Sequence, residues 1–205
     1  MRKLLLTILC RILFFIPLWG AGGLVHAQLY DAKWAFGSLR PTVMEVKNDT
    51  AVLIDSLANV RLSFTAASIC DAAGNLLFAS NGFSIYDRYG HLVENGDSIS
   101  PCAYSNSNSA QLPITQCVLF IPVPDNDSLY YLFHYSYDTL QNTRPNKFYY
   151  SLLNAKANNG LGKVVVKNKV IYSGSIFSGC RMTATKHANG RDWWLIRQGW
   201  NDNLF

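Results

Sequence analysis

The densest group of side chains capable of chemistry lies in one short turn and consists of His187, Asn189, Gly190, Arg191, Asp192, Trp193 and Trp194. A His near an Asp could serve acid–base catalysis or bind a metal, and paired indole rings could stack on a sugar ring. Asn-Gly is also typical of tight hairpin turns, where flanking His and Asp side chains can hydrogen-bond the two strands. The segment therefore predicts a structural turn motif rather than a catalytic centre.

Other short motifs give no sign of catalysis. Asp125-Asn126-Asp127 could be part of a calcium loop, but it lacks the further spaced acidic ligands and the bidentate glutamate, so we predict a plain turn. The sequence contains no GxSxG, HExxH or Walker-type segment. We predict no catalytic residue, no metal site and no cofactor.

Four cysteines follow residue 27, at positions 70, 102, 117 and 180. Their spacings match no CxxC metal pattern. Cys70, Cys117 and Cys180 lie on or beside predicted strands, where a small apolar side chain suits a buried position. We predict buried thiols for these three, and Cys102 with Cys117 as the preferred disulfide if the protein contains one.

The first 27 residues have the pattern of an export signal. Basic residues precede an apolar run from Ile12 to Val25, and Val25-His26-Ala27 offers small residues for cleavage before Gln28. A membrane anchor is the alternative, because the apolar run approaches the roughly 20 residues that a bilayer requires. Arg11 interrupts the apolar sequence, so we predict a cleaved signal peptide over 1–27 and membrane contact only through this segment.

The charge balance argues against nucleic acid as a partner. The chain has 18 basic and 13 acidic residues, a net charge of +5. Loss of Arg2, Lys3 and Arg11 with the signal leaves 15 basic residues against the same 13 acidic ones, a net charge of +2. No block or stripe of Lys and Arg is present, so nucleic-acid binding is not expected.

The rest of the chain predicts an all-β protein. Apolar runs are short, β-branched or aromatic, and bounded by Asn, Asp and Gly, and no segment keeps a helical period for three turns. A strand–turn–strand unit occurs three times, at 68–80, 120–133 and 185–196. The repeat interval is close to the roughly 40–50-residue period of propeller blades once loops are allowed for.

Each copy is predicted to open an antiparallel four-stranded blade of a β-propeller. The blade-like units cover about 60–96, 115–173 and 180–205, so 28–205 would hold about two and a half blades. The first unit is expected to include strands at Val60–Phe64 and His91–Glu94. An incomplete ring leaves blade faces and sheet edges exposed, which favours truncation of a longer product over cover by a partner.

Three segments resemble the N-terminal region of large exported Bacteroidetes proteins. Asn75–Gly90 resembles their "NLLFYTDGxxVWNRxG" stretch, 159–170 is similar to "GGxGxVxxKNxxL", and 186–195 is similar to "xHxNGxDYWLV". In that family a propeller of WD-repeat-like blades commonly precedes PKD-type modules, and a domain for type IX secretion or gliding motility usually ends the chain. The resemblance implies a propeller that is exported to the periplasm, the outer-membrane surface or the extracellular space, and it implies no reaction.

Five aspartates are followed by Ser or Thr and then an apolar residue, a pattern similar to the O-glycosylation signal of exported Bacteroidetes proteins. The structural alternative is that Asp-Ser and Asp-Thr simply begin turns. The candidate acceptors are Thr50, Ser56, Ser98, Ser128 and Thr139.

These observations favour a non-enzymatic, exported propeller segment that binds a protein or glycan, or serves as a scaffold, at the cell surface. The alternatives are an exported glycoside hydrolase or lyase with its site in the central channel, and a truncated product without function. The expected innermost strands, Leu62–Ala66, Cys117–Phe120 and Met182–Thr185, are apolar or hydroxylated. That composition argues against catalysis in the channel.

Overall fold

A computed structural model of the chain describes residues 28–38, 41–47, 50–57, 60–102, 112–136, 145–174 and 177–199. Within these ranges the chain forms twelve strands in four antiparallel sheets and a single helical turn. The prediction of an all-β protein with antiparallel sheets is confirmed. The predicted signal peptide over 1–27 lies outside the described residues.

The sheets follow one another along the chain. The first contains β1 (Lys33–Phe36), β2 (Thr42–Lys47) and β3 (Thr50–Ser56), and the second contains β4 (Ala67–Cys70), β5 (Leu76–Ser80) and β6 (Ile85–Asp87). The third contains β7 (Val118–Pro122), β8 (Leu129–Tyr135), β9 (Lys147–Asn154) and β10 (Lys163–Ser173). The fourth contains β11 (Phe177–Lys186) and β12 (Trp193–Gly199), and the helical turn α1 (Ala157–Gly160) connects β9 to β10.

Three apolar layers hold the four sheets together. Strand alternation directs Tyr130 and Leu132 of β8 to one face, where they pack with Phe78 of the second sheet. The Phe78 ring meets the Tyr130 ring edge-on at 6.1 Å and lies 6.3 Å from the Phe120 ring. A second layer joins the first and second sheets around Val43, and a third joins the last two sheets.

The first strands of successive sheets are neighbours. β1 lies beside β4, β4 beside β7, and β7 beside β11. Between β1 and β4 the Ser68 hydroxyl makes the connection, because its Oγ accepts the Ala35 N–H at 3.1 Å and donates to the Lys33 carbonyl at 3.4 Å. The four first strands therefore lie together at one side of the stacked sheets.

The internal make-up of the predicted units needs correction. Val60–Phe64 is not a strand: Leu62 exchanges two backbone hydrogen bonds with Gly37, and this single bridge holds a loop beside β1 in which Val60 and Leu62 are buried but Phe64 is exposed. His91–Glu94 likewise forms isolated bridges only. The second sheet thus has three strands, the third has the expected four, and the first sheet was not anticipated as a unit. The four described sheets do not close into a ring.

Candidate functional site

The first strands line a groove with a volume of about 840 Å³. Because β1, β4, β7 and β11 each present residues to the same space, the groove crosses all four sheets. The side chains that matter most for its chemistry are Tyr30, Asp31, Trp34, Ser68, Lys186 and Trp193. Aromatic surface, hydroxyl groups and one ion of each sign therefore face the same groove.

The indole of Trp34 is fixed in place by its own turn. Its Nε1–H donates to the Asp31 backbone carbonyl at 2.7 Å, which satisfies the only polar group of the ring. The side chain nevertheless stays 53% exposed. Trp34 therefore offers an oriented apolar surface at the edge of the groove.

The indole of Trp193 is held from the neighbouring strand. Trp193 and Lys186 are directly opposite each other in the β11–β12 pair, and the Lys186 Nζ lies 4.2 Å from the ring centroid. A cation at this distance over an indole is attracted by the negative face of the ring. The adjacent Trp194 points to the opposite face of β12 and is 58% exposed.

The mouth of the groove is formed by the turns of all three repeat copies. A second cavity of about 580 Å³ shares Tyr30, Lys186 and Trp193 with the groove, and Ala72, Asp125 and Arg191 of the three turns also line it. The Arg191 Nε lies 3.7 Å from the Asp125 Oδ2, which connects the second and third turns. The Asp125 carboxylate and the Arg191 guanidinium thus face each other at the mouth.

Asp127, the other acidic residue of this turn, pairs with a lysine. The Lys156 Nζ donates to both carboxylate oxygens of Asp127, at 2.9 and 2.8 Å, and this contact lowers the pKa of Asp127. Among the described residues, no group of three or more His, Cys, Asp or Glu side chains could hold a metal ion.

In the third turn, side chains hydrogen-bond to one another and to the turn backbone, as expected for a structural motif. Asn189 Oδ1 accepts the N–H groups of Arg191 and Asp192 at 3.0 Å each, and Asn189 Nδ2 donates to Asp192 Oδ2 at 2.7 Å. Arg191 donates from Nε and Nη2 to both Asp192 oxygens, which lowers the pKa of Asp192 to about 2. His187 Nδ1 accepts the Asn189 N–H at 3.2 Å, and its ring lies 5.2 Å from the Trp194 ring.

The first and third copies contain the same hairpin turn. The Gly74 N–H donates to the Asp71 carbonyl at 3.0 Å, and the Gly190 N–H donates to the His187 carbonyl at 2.9 Å. Both glycines have left-handed backbones, with φ of +86° and +72°. The second copy differs, because Asp125 is the left-handed residue there and Asn126 Oδ1 accepts the following N–H groups.

A serine–histidine cluster lies apart from the groove. His134 is fully buried, and its ring nitrogens lie 2.9 Å from Ser100 Oγ and 3.1 Å from Ser151 Oγ. Burial lowers the pKa of His134 to about 3, so the imidazole is neutral. Both serines are also fully buried. Without access for a substrate, the three residues form a satisfied polar network that joins His134 and Ser151 of the third sheet to Ser100, which follows the second sheet in the chain.

The cysteine prediction is wrong for Cys117 and Cys180, which are not free thiols, and Cys102 is not the partner of Cys117. Cys117 forms a disulfide with Cys180, not with Cys102, at a Cα–Cα distance of 4.9 Å. The physical reason is the adjacency of β7 and β11, which brings two residues together that are 63 positions apart in the sequence. Cys70 is a buried thiol, as expected, and burial raises its pKa.

The candidate O-glycosylation sites differ in accessibility. Thr50 and Ser98 are exposed, whereas Ser128 is half-buried and its hydroxyl donates to Asn126 Oδ1 at 2.9 Å. Ser56 belongs to β3. Thr139 lies outside the described residues.

Comparison with known proteins gives no relative for this chain. No protein-family model, no curated protein and no solved structure matches it. Within the described part of the chain, no helix has the length and apolar character needed to cross a membrane. The class of the protein is therefore defined by its fold, which is all-β with stacked antiparallel sheets.

Proposed function

We propose that this chain is an exported, non-enzymatic binding or scaffolding module of the cell surface, and that the groove across its first strands is the ligand site. The observation that carries the proposal is the pair of indoles, Trp34 and Trp193, which line one cavity together with polar groups. Each ring is already positioned by a contact of its own, so little side-chain entropy would be lost when a ligand binds.

The groove chemistry favours a glycan over a protein as the ligand. A pyranose ring has an apolar C–H face that suits an indole, and its hydroxyls need both donors and acceptors around it. Lys186 supplies donors, Asp31 supplies acceptors, and Gln28 can do either. The charged groups at the mouth include the Arg191–Asp125 pair, so no single sign of charge dominates the entrance.

The same composition supports binding over hydrolysis. Most glycoside hydrolases need two carboxyl groups on either side of the scissile bond. Among the described residues that line the larger cavity, Asp31 is the one carboxylate, and the Asp125 and Asp127 carboxylates at the mouth pair with Arg191 and Lys156. A glycan held there would meet aromatic surface and hydrogen-bonding groups, but no acid and base pair.

We further propose that the sheets are blades of a propeller. The proposal is supported by the adjacency of the four first strands, which are the innermost strands of propeller blades, and by the apolar layers between successive sheets. The resemblance to exported Bacteroidetes proteins of the type IX-secreted, gliding-motility-associated kind agrees with this arrangement. Disulfide formation between Cys117 and Cys180 is compatible with export.

The test is a titration of the purified protein with a panel of neutral cell-surface oligosaccharides, followed by intrinsic tryptophan fluorescence and calorimetry. We expect saturable binding that Trp193→Ala weakens at least tenfold. Trp194→Ala is the matched control, because it removes the neighbouring indole from the opposite face of the same strand and should leave the affinity unchanged.

Three results would contradict the proposal. Equal losses for the two tryptophan variants would place the ligand away from the groove, and the absence of binding to every glycan would reject a glycan site. The third result is the accumulation of cleavage products, detected by mass spectrometry of the recovered oligosaccharides. It would favour the glycoside hydrolase or lyase alternative.

A further inference from the structure

The first sheet exposes an apolar face. Trp34, Met44 and Leu53 are directly opposite one another across β1, β2 and β3, and Phe36 extends the same face along β1. Leu53 is 67% exposed, and Phe36 is also exposed. The opposite face of this sheet, which carries Ala35 and Val43, is buried against the second sheet.

The fourth sheet has an exposed face of the same kind. Trp194 and Ile196 lie on it, and their cross-strand partners are Thr185 and Thr183. The exposed fractions of the two apolar side chains are 58% and 42%. The other face of the sheet is directed toward the third sheet, where Leu195 packs against the buried cluster.

These two faces occupy equivalent places at the two ends of the stack. Between them, each successive pair of sheets packs through apolar side chains, with aromatic rings in contact in the layer between the second and third sheets. A fourth sheet placed on a first sheet would repeat this packing and bring Trp194 toward Phe36. Within one chain, the first sheet carries one of these faces and the fourth sheet carries the other.

We propose that a second copy of this chain covers both faces. The fourth sheet of one copy packs on the first sheet of the other, and a twofold axis repeats the contact, so that neither apolar face remains exposed. Trp34 lies at the edge that this face shares with the proposed groove, but Leu53 and Ile196, which the test changes, do not line the groove, so the two proposals can fail separately.

The available area favours two such contacts over one. The partly exposed aromatic and aliphatic side chains present an apolar surface area on the order of 400 Å² on the first sheet and about half of that on the fourth. A single contact therefore buries roughly 600 Å², which is in the range of non-specific crystal contacts, whereas the closed pair reaches the roughly 1,200 Å² at which stable interfaces begin.

The test measures the mass of the purified protein by light scattering across a hundredfold range of concentration. We expect about twice the monomer mass for the wild type. Leu53→Asp and Ile196→Asp should each give monomers, because each variant places a charge in both contacts. Leu92→Asp, at a 53% exposed position that is on neither face, is the control and should remain a dimer. Circular dichroism melting curves establish that each variant is folded.

A double variant with opposite charges gives the decisive result. Leu53→Asp/Ile196→Lys places an aspartate and a lysine in each of the two contacts, so this variant should recover the dimers that Leu53→Asp and Ile196→Asp do not form. If Ile196→Asp alone remains dimeric, the first sheets pair with each other and the proposal is wrong. Wild-type monomers at the highest concentration, or assemblies that grow beyond two copies, would equally overturn it.

Discussion

Cys117 and Cys180 are joined by a disulfide that links the start of the third sheet to the first strand of the fourth. Both residues are fully buried within the apolar layer that contains Tyr135, Phe148 and Phe177. The fourth sheet has two strands in the described part of the chain; its Phe177 and Cys180 are fully buried in this layer, whereas Met182 and Leu195 are only partly buried. The covalent link therefore fixes the sheet that carries Lys186 and Trp193.

Removal of this disulfide should destabilise the protein. We expect the double variant Cys117→Ala/Cys180→Ala to lower the free energy of unfolding by about 2–5 kcal/mol, because a crosslink across a loop of this length restricts the unfolded chain. Urea unfolding with and without a reductant measures the effect. Cys102→Ala is the control and should stay close to the wild type. An unchanged wild-type midpoint under reducing conditions would contradict the prediction.

Gly162 should not tolerate a side chain. A Cβ at this position would lie 2.7 Å from Cζ of the Phe78 ring, and the backbone has a φ of +91°. We expect Gly162→Ala to destabilise the fold by about 2–4 kcal/mol, because Phe78 is in the centre of the largest apolar layer. Thermal unfolding provides the measurement.

Gly190→Ala is the matched control for Gly162→Ala. Gly190 also has a left-handed backbone, with a φ of +72°, but a Cβ there would meet nothing within 4 Å. Its expected cost is therefore the conformational part alone, about 1 kcal/mol. Equal losses for the two variants would mean that the Phe78 ring can move aside.

Modification of the protein should follow the accessibility of the candidate hydroxyls. We expect the intact mass of protein secreted by its native host to exceed the mass of the polypeptide, and we expect Ser98→Ala to remove one increment. Ser98 is exposed, and its hydroxyl donates to the exposed Asp97 carboxylate at 2.9 Å, whereas Ser128 is half-buried. Ser128→Ala should leave the increments unchanged. An unmodified intact mass would reject O-glycosylation at all five candidates.

Local structure could be predicted from the sequence where local chemistry determines it. The Asn189-Gly190 turn is such a case, because a left-handed glycine and a side chain that accepts the next N–H groups act within a few residues. The four strands of the third sheet were predictable for the same reason, since alternating apolar runs there are separated by clear turn residues.

Long-range relationships could not be predicted in this way. The Cys117–Cys180 pair and the groove depend on which first strands become neighbours, and no local pattern encodes that adjacency. Trp34 precedes the first strand–turn–strand copy, and its role as a groove residue depends on the position of β11. His134 directly follows the second copy, at 120–133, and no local pattern marks it as a buried hydrogen-bonding residue.

The buried His134 should make stability depend on pH. Above its ordinary pKa of 6.5 the imidazole is neutral in both the folded and unfolded chain, so it has no effect. Below that value the unfolded chain binds a proton that the folded chain, with a pKa of about 3, does not bind. The free energy of unfolding should therefore fall as the pH is lowered from 6.5 toward 3, with a slope of up to about 1.4 kcal/mol per pH unit.

Urea unfolding of wild type and His134→Gln between pH 4 and 8 isolates this contribution. The variant keeps an amide that can hydrogen-bond Ser100 and Ser151, and it lacks the titrating ring. We expect the variant to be less stable at pH 7 but to lose less stability on acidification, so that the difference between the two proteins narrows as the pH falls. Parallel pH profiles for wild type and His134→Gln would mean that the folded protein admits a proton at His134, because only a ring that titrates alike in both states leaves the slope unchanged.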